Sequence, residues 1–214
     1  VSDNTTSCTS STTLELTVQA LSANADLASL LLSDASVTPG FDAAVTTYTA
    51  SVPFAVASTS LSATVADVTA SLSINGTSAA SGSAQAISLI VGTNAIPVVV
   101  TAQDGTQKTY TINITRETPS TNADLAGLGL STGTLDPAFA SATTTYSVSV
   151  DLPVSSLDVT PTVQDAKATV QVNGTAAVSG SAVAVGLNAG VNIISVLVTA
   201  EDGSTKTYTV TVTR

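Results

Sequence analysis

The chain is one stretch of sequence written twice. Asn24-Ala-Asp-Leu27 returns as Asn122-Ala-Asp-Leu125, Asn75-Gly-Thr77 as Asn173-Gly-Thr175, and Asp104-Gly105 as Asp202-Gly203. Lys108-Thr-Tyr110 returns as Lys206-Thr-Tyr208 and Thr115-Arg116 as Thr213-Arg214. The offset is constant (122 − 24 = 98 and 214 − 116 = 98). A fixed offset sets the architecture before any finer reading. Each copy is long enough to hold its own core. The expected organisation is a tail at 1–23, a first domain at 24–116, a linker at 117–121 and a second domain at 122–214.

Within a copy the apolar residues alternate. In the first, Leu27–Ser33, Thr47–Val52, Leu61–Val65, Ser71–Ile74, Ala86–Val91, Ala95–Thr101 and Thr109–Thr115 read as strands. Tyr110, Ile112 and Ile114 share one face of the last, with Thr111, Asn113 and Thr115 on the other. Asn75-Gly76 fits a type I′ hairpin turn, because both residues tolerate positive φ. Asp104-Gly105 reads as a second hairpin turn. Pro97 has no N–H for a ladder, so it is expected at a bulge or an edge. The second copy has Ser195 there. About seven strands with turns between them, rich in β-branched Val and Thr and only 3% aromatic, predict an antiparallel β-sandwich.

The ordered set Asn24-Ala-Asp-Leu27, Pro39, Phe41, Thr47-Tyr48, Asn75-Gly-Thr77, Asp104-Gly105, Lys108-Thr-Tyr110 and Thr115-Arg116 resembles the bacterial cadherin-like β-sandwich repeat. The resemblance covers nearly the whole chain. It implies an immunoglobulin-like, all-β fold of two tandem sandwiches, strung along a microbial surface or secreted protein.

The sequence argues against catalysis. It contains no His, so the common general base and zinc ligand are missing. Carboxylates are dispersed, and no metal or cofactor is expected. Asp104 and Asp202 read as turn residues, Asp26 and Asp124 as junction residues capping local backbone. Lys108 and Lys206 read as solvated strand-end lysines, with an internal isopeptide bond to an Asn as the sharper alternative. The net charge is −10 with five basic residues, which excludes a nucleic-acid partner. No apolar run reaches the roughly 20 residues of a membrane span. Val1, in a chain without Met, reads as a processed N-terminus after removal of a signal peptide, hence an extracellular or cell-surface location. Cys8 is the lone cysteine, either a free thiol or a cross-link to another chain. The Asn-x-Thr sequons at Asn4, Asn75, Asn113 and Asn173 are candidate glycosylation sites.

The tail adds one more pattern. Leu14-Glu-Leu-Thr-Val18 stands in the register of Ile112 and Ile114, the closing strand of a domain. An amphipathic strand alone is an open edge. Leu14, Leu16 and Val18 therefore either fold back onto the first domain or, the favoured reading, complete the sheet of a neighbouring copy. Head-to-tail addition of this kind generates a filament. The expected function is a structural subunit of an extracellular fibre whose partners are copies of itself. An adhesin or carbohydrate-binding module with surface or glycan ligands, or a spacer in a larger secreted protein, is the alternative.

Overall fold

The computed structural model describes residues 19–214. Leu14, Leu16, Val18, Asn4 and Cys8 lie outside these residues. Two compact units part between Glu117 and Thr118, each with its own apolar core.

In the first unit the strands are β1 (Leu27–Leu32), β2 (Thr47–Val52), β3 (Ser58–Val65), β4 (Ser71–Ile74), β5 (Thr77–Ala79), β6 (Ala84–Ser88), β7 (Gly92–Thr101) and β8 (Gln107–Arg116). They form a three-stranded sheet ordered β1-β3-β6 and a five-stranded sheet ordered β2-β8-β7-β4-β5. The second unit repeats this as β9 (Leu125–Leu130), β10 (Thr145–Ser149), β11 (Ser156–Val163), β12 (Thr169–Val172), β13 (Thr175–Ala177), β14 (Val183–Gly186), β15 (Val191–Thr199) and β16 (Thr205–Thr213). Its sheets are ordered β14-β11-β9 and β10-β16-β15-β12-β13. The all-β tandem sandwich is the architecture present.

Alternation along each strand becomes burial. Tyr110, Ile112 and Ile114 of β8 are fully buried, and Leu61, Ile74, Val98 and Val100 meet them from the other strands. Apolar side chains from facing sheets fill a core only about 10 Å thick. Small aliphatic residues suit that thickness, and two buried tyrosines in each unit are among its largest side chains.

Three features depart from the sequence reading. There are eight strands per unit rather than seven: the extra one, β5, has three residues, too few to show alternation. The pairing is not wholly antiparallel. β2 runs parallel to β8, with Tyr48 beside Ile112 and Ser51 beside Thr115. The closing strand is therefore central, flanked by β2 and β7.

Pro97 occupies neither a bulge nor an edge strand. It lies in the interior of β7, opposite Thr111. Its carbonyl accepts the Asn75 N–H at 2.8 Å, so the side of Pro97 that lacks a donor faces the point where β4 has already turned away. The proline is tolerated at a local edge inside a central strand. Ser195 shows what the missing group does: its N–H donates to Asn173 Oδ1 at 2.9 Å.

Candidate functional site

Two clusters of side chains recur in both units, one at each end of the closing strand. At its start, Lys108 Nζ donates to Asp26 Oδ1 at 2.7 Å and to the Ala43 carbonyl at 2.6 Å. The Tyr110 hydroxyl accepts the Leu27 N–H at 3.1 Å and donates to the same Ala43 carbonyl at 2.9 Å. Lys206, Asp124, Tyr208 and the Ser141 carbonyl repeat the arrangement at 2.6–3.0 Å. Because β1 and β8 belong to different sheets, this cluster ties one sheet to the other.

At the far end of β8, Arg116 Nε donates to the Phe54 carbonyl at 2.8 Å and Nη1 to the Leu89 carbonyl at 3.1 Å. Its guanidinium lies 4.7 Å from the centre of the Phe54 ring. In the second unit Arg214 bonds the Leu152 carbonyl through Nε at 3.0 Å and Nη2 at 2.8 Å, and the Leu187 carbonyl through Nη1 at 2.8 Å. Leu152 provides no ring, and a bidentate grip on its carbonyl takes the place of the stacking. Lys167 pairs with Glu201 at 3.3 Å. All five cations of the chain are thus engaged inside the units.

These contacts revise two expectations. Lys108 and Lys206 are ion-paired and half-buried rather than solvated, and their partner is Asp rather than Asn. The local cap belongs instead to Asn24 and Asn122, whose Oδ1 atoms accept the Asp26 and Asp124 N–H at 2.9 Å. The recurrence of Asp and Lys 82 residues apart (108 − 26 and 206 − 124) was visible in the sequence. Nothing local to either residue announces the pairing.

The Asp26 carboxyl is held below its ordinary range, chiefly by the bond from Lys108 and against a desolvation cost. The Lys108 ammonium is raised, chiefly by the same bond. Both charged forms are stabilised, which disfavours condensation to an amide: attack needs a neutral amine and a protonated carboxyl. The intact mass is expected to equal the sequence mass, and a deficit of one water per unit would show the amide. A depressed carboxylate contributes stability above its ordinary titration range, and the contribution fades as pH falls through the lowered native value. A raised ammonium contributes below its ordinary range and loses this as pH rises through the raised native value. The first unit should therefore show a stability plateau between an acid and an alkaline limb in urea titrations. Asp26→Asn should make the acid limb shallower without abolishing it, since Asp34, Asp67 and Asp104 are held low as well by hydroxyl and turn N–H groups. The effect is modest because Asp26 is 46% exposed and screened by solvent. An unchanged acid limb in that variant would contradict this account.

The other candidate positions are spread apart. Asn75 and Asn173 are exposed at positive φ (49° and 48°) in the hairpin turns. Asn113 is half-buried on the outer face of β8, between Thr49 and Ala95. Asp104 and Asp202 are turn residues, their Oδ1 atoms accepting the Thr106 and Ser204 N–H at 2.8 Å. Tyr48, Tyr110, Tyr146 and Tyr208 are buried. Phe41 and Phe139 pack on the cores, stacked near Tyr48 and Tyr146. Surface depressions reach about 400 Å³, the one beside Val65, Val68, Leu72 and Ala79 lined by small aliphatic and hydroxyl side chains. Among the described residues no three His, Cys, Asp or Glu side chains gather around a point that could hold a metal ion.

The sequence matches the cadherin-like beta sandwich domain family over residues 16–117 and again over 124–214. The chain belongs to that family. A 96-residue stretch of this chain is also similar, at 45% identity, to part of a protein of Evansella cellulosilytica named "Putative membrane protein". The match takes in 44% of this chain and 14% of that protein's length. Among solved structures, the fibronectin(III)-like modules of Clostridium thermocellum CbhA align over 84% of this chain and 93% of their own, at 12% identity and a TM-score of 0.24. PcdhgB3 EC1-4 aligns over 84% of this chain and 50% of its own, at 13% identity and a TM-score of 0.29. These low scores add nothing to the family assignment, which rests on the sequence match to both cadherin-like units.

Proposed function

We propose that the chain is a non-enzymatic structural element, two serial spacer modules of an extracellular, surface-linked protein. The observation that carries this is where the chain enters and leaves each module. Asp26 and Leu27 meet the start of β8 through Lys108 and Tyr110. The preceding segment is tied to the adjoining hairpin, where the Asp104 N–H donates to the Ser22 carbonyl at 3.1 Å. The chain leaves at Arg116, the other end of the same strand, about 30 Å away for a ten-residue strand. The second module is built the same way, with the Asp202 N–H on the Ser120 carbonyl and its closing strand β16 running to Thr213. Modules entered at one end and left at the other can be strung in series. The reuse of one module's length within a much longer relative supports the same reading.

The geometry also suits tension. Pulling on both ends loads β8 along its length, in shear against β2 and β7 together, rather than peeling one bond at a time. Force spectroscopy on the 214-residue chain should give two separate unfolding events. Each should lengthen the chain by roughly 30 nm, the extended length of about 98 residues less the folded span. Arg116→Ala should lower the force of one event only. Modules that yield at forces indistinguishable from the unfolded chain would defeat the spacer reading.

The finer form of this proposal is a filament of copies joined through Leu14, Leu16 and Val18. The closing-strand position of each module is already filled by its own β8 or β16. A donated strand would therefore add to a margin that is unpaired among the described residues, such as the outer edge of β1, where Leu31 is 64% exposed. Deleting residues 1–18 is expected to abolish fibres seen by electron microscopy while both modules melt as before. Fibres that persist would reject this route. The carbohydrate-binding alternative lacks the exposed aromatic platform it would use, because the tyrosines are buried and Phe54 lies under Arg116.

A further inference from the structure

We infer that Asn75 is a site of spontaneous deamidation, distinguished from its repeat counterpart Asn173 by one missing backbone donor. Both asparagines begin exposed two-residue turns with the same backbone, φ 49° then 78° in one and 48° then 78° in the other. Both are followed by Gly-Thr and preceded by a β-branched residue, Ile74 or Val172. The glycines leave the main chain open: a methyl built at Gly76 or Gly174 would meet nothing within 4 Å. The two main-chain nitrogens are held alike, donating to the Pro97 and Ser195 carbonyls at 2.8 Å. The side chains are not. Ser195 N–H holds Asn173 Oδ1 at 2.9 Å, whereas Pro97 has no N–H to offer Asn75.

That tether bears directly on the reaction. The Gly76 nitrogen attacks Asn75 Cγ, the new C–N bond closes a five-membered succinimide, and the Cγ–Nδ2 bond breaks. Ammonia leaves, taking up the proton lost from the glycine nitrogen. Water then opens the ring at either carbonyl to give aspartate or isoaspartate, with no oxidant or reductant. The side chain must first swing towards its own glycine. Asn173 has to surrender a hydrogen bond to do so, and Asn75 does not. Isoaspartate adds a carbon to the main chain of a two-residue turn, so the β4–β5 register cannot survive it, and either product removes the sequon.

The test uses the intact 214-residue chain from a host that attaches no N-glycans, aged at mildly alkaline pH and followed by peptide mass spectrometry. Asn75 should convert about 2- to 10-fold faster than Asn173, the factor expected for one hydrogen bond. P97S should slow Asn75 to the rate of Asn173, and S195P should speed Asn173 to the rate of Asn75. In urea the two rates should become nearly equal, because both sites are Asn-Gly-Thr preceded by a β-branched residue. Equal rates in the folded chain, a difference that persists in urea, or a P97S variant that still converts at the original rate would each overturn the inference.

Discussion

Replacing Tyr110 by Ala is expected to unfold the first module and leave the second folded. The ring is fully buried among Ile112, Ile114 and their neighbours, and removing a large aromatic from such a core costs about 3–5 kcal/mol. The hydroxyl adds to this. It accepts the Leu27 N–H and shares the Ala43 carbonyl with Lys108, and a buried N–H such as that of Leu27, stripped of its partner, costs about 1–3 kcal/mol. The sum takes up much of the roughly 5–15 kcal/mol that holds a domain of this size. Calorimetry should lose one of two transitions, with the other unmoved because the second core is separate. Tyr110→Phe keeps the ring and isolates the hydroxyl, for a loss of about 1–3 kcal/mol. If both transitions fell together in the Ala variant, the modules would not be independent.

Gly133→Ala should destabilise only the second module, by about 2–5 kcal/mol. Gly133 has φ +77°, where an L side chain costs roughly 1–2 kcal/mol. The added methyl would stand 2.4 Å from Val148 Cγ1 and 3.3 Å from the Ser149 carbonyl. Val148 is a buried, β-branched residue that cannot swing aside, so overpacking adds about 1–3 kcal/mol. The aligned residue in the first module is Ala35, which does not have positive φ. The loop there takes a different backbone path, so the same residue is harmless in one copy and costly in the other. The corresponding melting shift is about 8–40 °C, given about 4–8 °C per kcal/mol for such a domain. A second-module shift under a few degrees would mean the loop can reroute as Ala35 does.

Much of the candidate site was legible in part. The aromatic and cationic positions stood out because they recur at one offset, and the turn roles of Asn75, Asn173, Asp104 and Asp202 follow from residues adjacent in the chain. The links among them were not legible. Asp26 and Lys108 are 82 residues apart, and an aspartate beside Asn24 reads equally well as a local cap. Pro97 reads as a bulge or edge residue because the sequence does not show where the neighbouring strand stops. The structure answers that at Asn75, one residue past the end of β4.

By itself the sequence determined the number of modules, the places of most strands and turns, and which side chains face the core. Those properties depend on spacing along the chain: a repeat offset, a period of two, a glycine or asparagine that can adopt positive φ. Tertiary structure alone decided which strands are neighbours. It placed the closing strand centrally, made β2 run parallel to it, and brought Lys108 and Arg116 across to the opposite sheet and its loops. Alternation tells a strand which face to bury and not which partner to take. Partners are selected only when both sheets close over one core and every buried N–H and carbonyl must find a mate.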